Sequence, residues 1–169
     1  MSHLTAIENK IVDKEKAAML MKVWGLKGDS IVFTNGCFDL LHRGHITYLA
    51  KAAEKGNRLI VGINSDASVK SLEKGKERPV NKELDRAFVL AGLGCIDAIV
   101  IFNENTPKEL IEFLQPDVLV KGGDYDAEEK NSSSKKYIVG REIVLNKGGK
   151  VITIPTVEGF STTGILAKI

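Results

Sequence analysis

A three-layer α/β/α domain around a mostly parallel sheet is the fold this sequence predicts, from three observations. Short continuous apolar runs of strand length recur at 30–34, 58–63, 98–102, 117–120 and 151–154, as in strands buried on both faces. Segments with helical signals separate them, the alternation that builds a parallel sheet. The chain has 169 residues, 43% hydrophobic and 27% charged, which suits one domain with a single sizeable core.

Each element has a local reason. Ile7, Ile11, Ala18 and Met21 give 7–24 an amphipathic helical face, ended by Gly25 and Gly28. Strand 30–34 runs into a polar, glycine-containing loop over 35–44, then a helix over 45–55 that Gly56 stops. Strand 58–63 ends in Asn64-Ser65-Asp66, where Ser65 or Asp66 caps a short helix before the charged loop 73–78. A helix over 81–93 and strand 98–102 precede a helix with Pro107 in its first turn. Strand 117–120, the polar loop 122–134, a helix over 137–147 stopped by Gly148-Gly149, and strand 151–154 complete the sheet. Ser161-Thr162-Thr163 opens a terminal helix. There is no internal repeat. The pattern is Rossmann-like, with an N-terminal helical extension over 1–27 and the main domain over 28–169. Ligands of such sheets bind beyond the carboxyl ends of the strands, so 34–45, 64–66 and 121–124 are expected to converge.

A net charge of +2 gives no electrostatic case for nucleic acid or an anionic membrane. No stretch approaches the roughly 20 apolar residues of a membrane helix, and the first 28 residues lack a signal-peptide pattern. The expected location is the cytoplasm. Cys37 and Cys95 are too few for a disulfide framework and lack metal-site spacing; both are expected to be buried as small hydrophobes.

The sharpest chemical signal is His42-Arg43-Gly44-His45. Two of only three histidines stand three positions apart around a glycine, between a strand–loop unit and a helix. At that place backbone N–H groups and the helix dipole attract phosphate. Gly44 admits close backbone approach, and two imidazoles about a turn apart can face one anion. The plainer alternatives are a solvated loop histidine and a helix cap; a zinc site lacks a third ligand at suitable spacing.

The segment Thr34-Asn35-Gly36-Cys37-Phe38-Asp39-Leu40-Leu41-His42-Arg43-Gly44-His45 resembles the first signature of the cytidylyltransferase-like nucleotidyltransferases, and Gly159-Phe160-Ser161-Thr162-Thr163 resembles the second. Residues 61–66, 78–81 and 117–125 are similar to one branch, the adenylyltransferases of ADP-heptose synthesis. Those occur free-standing or as the C-terminal half of a bifunctional kinase–adenylyltransferase. No sugar kinase fits in this length, so the free-standing form is expected.

The resemblance implies transfer of AMP from ATP to heptose 1-phosphate, giving ADP-heptose and pyrophosphate. A phosphomonoester is largely dianionic at neutral pH, so the site needs alignment and charge stabilisation rather than a general base. The resemblance assigns His42 and His45 to charge on the α-phosphate and leaving group. Lys121, as a point charge on sugar phosphate or triphosphate, joins them in a catalytic role. Thr34, Asn35, Gly36, Cys37, Phe38, Gly44, Asn64, Asp66, Arg86, Ser161, Thr162 and Thr163 are expected to bind nucleotide. Asp39, Gly122, Gly123 and Asp124 are expected on the substrate side, with Asp39 also able to hold the signature loop by backbone hydrogen bonds. Solvated charges, loop caps and ordinary turns remain open for several of these. No protein metal ligand is assigned; Mg²⁺ is expected to travel mainly on triphosphate oxygens. The partners are small molecules, and a homodimer is an assembly the family often adopts. Glycerol-phosphate cytidylyltransferases carry an arginine before the second signature where this chain has Thr156, which favours ATP over CTP. A cytidylyltransferase for glycerol phosphate or ethanolamine phosphate, and a non-catalytic nucleotide sensor, are the alternatives.

Overall fold

The computed structural model describes residues 2–72 and 78–166. Among them β1 (Ile31–Gly36), β2 (Arg58–Asn64), β3 (Ala98–Phe102), β4 (Val118–Gly122) and β5 (Lys150–Ile154) form one sheet in the order β3-β2-β1-β4-β5. Every neighbouring pair is parallel, so the sheet is more uniform than the mostly parallel one expected. Among the described residues no helix is long and apolar enough to cross a membrane.

Alternation along the strands supplies two apolar layers. Val32, Val61, Ile99 and Val120 pack with Leu49 of α3 (Arg43–Ala53) and Leu90 of α5 (Glu83–Ala91). Phe33, Ile60, Val100 and Leu119 pack on the other face, with Ala17 of α2 (Lys14–Leu26), Ile111 of α6 (Lys108–Leu114) and Val144 of α7 (Arg141–Asn146). Each fully buried Leu, Ile or Phe contributes about 1.5–3 kcal/mol, which makes burial on both faces the force that selects strands here.

Some elements differ from the sequence expectation. Residues 7–24 do not form one helix. α1 (His3–Glu8) ends, and α2 starts after Asp13, whose side chain accepts from the Lys16 N–H at 2.7 Å. Between them Ile11 bridges Ile99 of β3, with Ile99 N–H donating to Lys10 O at 2.7 Å and Val12 N–H to Ile99 O at 2.9 Å. Edge pairing has overridden helical periodicity, and with Ala17 fully buried this N-terminal segment is built into the core. The helix expected over 137–147 is only α7, preceded by Gly140 at φ 89°. That over 81–93 is the shorter α5, and α3 begins two residues earlier than expected. The short helices after Ser65 and Ser161 are α4 (Asp66–Ser71) and α8 (Thr162–Leu166). Residues 73–77 of the charged loop lie outside the described residues.

The winding reverses between β1 and β4: β2 and β3 extend the sheet one way, β5 the other. β1 and β4 pair only at Val32↔Val118 and Phe33↔Leu119, whereas six pairs join β1 to β2. The ligand crevice of an open α/β sheet belongs at this switch point.

Candidate active site

A cleft of about 670 Å³ opens over the carboxyl ends of β1 and β4. On its floor His42 caps α3 in extended conformation, its Nδ1 accepting from the His45 N–H at a long 3.4 Å. That bond leaves the proton of a neutral His42 ring on Nε2, as a donor. The two imidazoles stack, with centroids 3.8 Å apart and planes 20° from parallel. Gly44 suits this packing: a Cβ there would stand a tight 3.0 Å from His42 Cε1 and 3.2 Å from Phe160 Cβ, so those side chains would have to give way. Phe38, at φ 47°, turns its ring edge onto His45 with centroids 5.4 Å apart. Gly36 makes room for that ring, since a Cβ would lie 3.0 Å from Phe38 Cε2.

Burial lowers the pKa of both histidines. For His45 it falls to about 4: burial acts first, then the charge of His42; Arg78 adds to the fall, while the Leu40 backbone opposes it. Both rings are neutral at neutral pH and act as hydrogen-bond donors or acceptors rather than as cations. His45 Nδ1 is buried and makes no hydrogen bond of ordinary geometry.

Positive charge enters from β4. Lys121 is 7% exposed, donates from Nζ to Asn35 Oδ1 at 2.6 Å across the β1–β4 gap, and lies 5.0 Å from the Tyr125 ring centroid. Ser161, Thr162 and Thr163 line the same cleft as the histidines, more than a hundred residues away in sequence. Phe160 joins the two signatures, its ring centroid 6.4 Å from that of His42. Ser161 Oγ accepts from the Gly164 N–H at 2.9 Å, so one of the three hydroxyls also closes the start of α8. Neutral donors, one ammonium and hydroxyls around a single cleft suit the stabilisation of developing phosphate charge.

Asn35, Gly36, Cys37, Phe38, Gly44, Asn64, Gly122 and Asp124 also line the cleft. Asn64 is held by its Nδ2 donating to Ser68 Oγ at 2.9 Å. Cys37 is half-buried on the cleft wall rather than a buried hydrophobe, and Cys95 is likewise half-buried.

Four expectations need correction, and a fifth residue, Asp39, takes the loop-holding role of its two expected ones. Thr34 is fully buried beneath the cleft, its hydroxyl 2.6 Å from Tyr48 Oη. Asp66 does not line the cleft; its carboxylate pairs with Arg86 at 2.8 Å. Arg86 is neither a cleft residue nor a solvated charge. Its Nε donates to Asn81 O, Nη1 to Cys37 O, and Nη2 to Asn64 O and Asp66 Oδ1, at 2.6–3.0 Å. Asp39 reaches the cleft wall, but its carboxylate is spent on the Val80 and Asn81 N–H groups and the Arg78 guanidinium, which is the loop-holding alternative. Gly123 lies against backbone, not open space: a Cβ would stand 3.1 Å from Pro155 Cα. At Gly122 the nearest atom would be 3.8 Å away, an ordinary contact.

Tyr48, Arg78, Tyr125 and Phe160 line the cleft without having been singled out from the sequence. Tyr48 had a readable signal, one helical turn beyond His45. Arg78 opens the segment 78–81 named for its resemblance, but its place on the cleft wall depends on Asp39, 39 positions away.

The cytidylyltransferase-like family model matches residues 33–168. The bifunctional protein HldE of Geotalea uraniireducens is 51% identical over 160 residues, 95% of this chain and 31% of that protein. HldE of Marinomonas sp. is 53% identical over 148 residues, 88% of this chain and 29% of that protein. The chain therefore spans about a third of the length of these curated relatives. Among solved structures, the lipopolysaccharide core biosynthesis protein from Thermoplasma volcanium aligns with TM-score 0.57 at 22% identity, over 77% of this chain and 98% of that one. Pantoate-beta-alanine ligase from Francisella tularensis aligns with TM-score 0.59 at 15% identity, over 94% and 76%. These two structural likenesses bear on the fold alone. With the family model covering both signatures and every strand after the start of β1, the chain belongs to the cytidylyltransferase-like family, as a nucleotidyltransferase.

Proposed function

We propose that this chain transfers AMP from ATP to heptose 1-phosphate, forming ADP-heptose and pyrophosphate. The observation that carries the proposal is one cleft holding the stacked histidines, Lys121 and the Ser161–Thr163 hydroxyls. The similarity to bifunctional HldE proteins, of which this chain matches about a third of the length, supports the heptose branch. Thr156 on the cleft wall, where the glycerol-phosphate branch has arginine, supports ATP over CTP.

In this reading an oxygen of the sugar phosphate dianion attacks the α-phosphorus. The bond from that phosphorus to the bridging oxygen of the β-phosphate breaks, and pyrophosphate leaves with the electron pair. No proton need be removed from the nucleophile. His42 and His45 donate to the α-phosphate and bridging oxygen, where charge grows. Lys121 holds an acceptor or triphosphate oxygen. Ser161, Thr162 and Thr163 hold the departing pyrophosphate. Mg²⁺ would neutralise triphosphate charge. That ion would be held mainly by triphosphate oxygens and keep several waters. Both substrates belong to the cytoplasm, and a homodimer is the assembly this reading favours.

The test is pyrophosphate release with Mg²⁺, each nucleoside triphosphate in turn, and a panel of sugar and alcohol phosphates. Release with ATP and heptose 1-phosphate is the expected result. Release with CTP alone rejects the assignment.

A further inference from the structure

We infer that Tyr48 is a positioning residue that keeps the histidine pair in register with Lys121 across the gap between β1 and β4. The reaction used to test it rests on the function proposed above; the contacts do not.

The β1–β4 ladder stops after Phe33↔Leu119. At the next step along both strands, the Tyr48 hydroxyl stands in place of backbone pairing. It donates to Val120 O at 3.2 Å and lies 2.6 Å from Thr34 Oγ1. Since Tyr48 has one proton and gives it to Val120, the Thr34 hydroxyl must be the donor in the shorter contact. The chain of donors therefore has one direction, Thr34 to Tyr48 to Val120.

Each end of that chain is the residue before a cleft group. Thr34 precedes Asn35 and Val120 precedes Lys121, and those two side chains meet at 2.6 Å. Tyr48 itself lies on α3, three residues after His45, and lines the cleft. One hydroxyl thus ties the helix bearing the histidines to both strand ends bearing the Lys121–Asn35 pair. Burial pushes the phenol up to about 12, so it keeps the proton that sets this direction. A misplacement near 1 Å between groups that share a transition state can cost about 10²-fold, which gives such a brace its leverage.

The experiment is a double-mutant cycle with Tyr48→Phe and Lys121→Met. It reads pyrophosphate release from Mg-ATP and heptose 1-phosphate and, in parallel, the rise in melting temperature caused by ATP. Tyr48→Phe is expected to lower kcat about 10- to 30-fold with KM for ATP within about threefold. In the Lys121→Met background the same change is expected to cost less than about twofold, because the group it positions is gone. A Tyr48→Phe enzyme within twofold of the parent, or penalties that simply multiply, would overturn the inference. If Tyr48→Phe folds poorly, Thr34→Val is added to remove the stranded hydroxyl. Recovery of folding with kcat still low supports the role; recovery of both overturns it. If the parent binds ATP but turns over no acceptor, the proposed reaction fails, and the coupling is read instead in the phosphorus NMR of bound ATP: a displaced α-phosphorus resonance on Tyr48→Phe that is lost in the Lys121→Met background supports it, and the same displacement in both backgrounds, or none, overturns it.

Discussion

Replacing Arg86 by methionine isolates what the buried guanidinium does, because methionine fills much of the same volume without a donor. The Arg86 side chain has no exposed surface, and it satisfies the carbonyls of Cys37, Asn64 and Asn81 together with the Asp66 carboxylate. Those acceptors sit on the signature loop, the β2–α4 turn and the segment before α5. Each carbonyl left dry and unpaired costs about 1–3 kcal/mol. The methionine side chain avoids the desolvation of a charge, which brings the net toward the ~3–5 kcal/mol typical of breaking a buried ionic pair. For a chain of 169 residues, unfolding entropy near 2.1 cal/mol/K per residue converts ~4 kcal/mol into a melting point lower by about 11 °C. Calorimetric and urea unfolding of Arg86→Met measure this directly. Arg86→Lys keeps the charge but reaches fewer of the four acceptors, so roughly half the loss is expected. A methionine variant melting within about 3 °C of the parent would refute the brace.

Other expectations follow from the same geometry. His42→Ala should lower turnover about 10²–10³-fold, the cost of removing one transition-state donor; a variant within threefold of the parent in pyrophosphate release removes His42 from the chemistry. In the unfolded chain His45 protonates near 6.5 and in the fold only near 4, so between these values the unfolded chain binds more protons. Stability is therefore full above about pH 6.5 and falls as pH drops toward 4, by ~1–2 kcal/mol once partial exposure is allowed for. Urea midpoints at pH 7 and 4.5 should show that fall and His45→Gln should reduce it; identical profiles would sink the assignment. Gly123→Ala should cost about 1–3 kcal/mol against the fixed backbone of Pro155 and Thr156. Gly122→Ala should stay within about 0.5 kcal/mol, and thermal melts that reversed this order would contradict the packing.

Strands were legible because burial on both faces leaves an unbroken apolar run, and β3 spans the same residues, 98–102, in sequence and structure. The catalytic elements were legible where chemistry requires rare residues at fixed spacing, as in 42–45. What escaped depends on partners distant in the chain. Residues 9–13 carry a helical face, but the Val12 amide and the Lys10 carbonyl pair with Ile99 of β3, and periodicity cannot reveal an edge 88 positions away. Thr34 and Asp66 looked like ligand groups because both stand at strand ends; whether such a side chain faces a ligand or a neighbour is decided by Tyr48 and Arg86. Arg86 itself was legible as important and misread in role, since a sequence does not distinguish a guanidinium on phosphate from one on backbone carbonyls.

The short bridge at Ile11 reaches beyond local folding. β3 is an outer strand, and its outward-facing Ile99 amide and carbonyl are already engaged by Lys10 and Val12 of the same chain. A foreign strand approaching that side would find the middle of its template taken, which blunts the usual route to edge-to-edge aggregation.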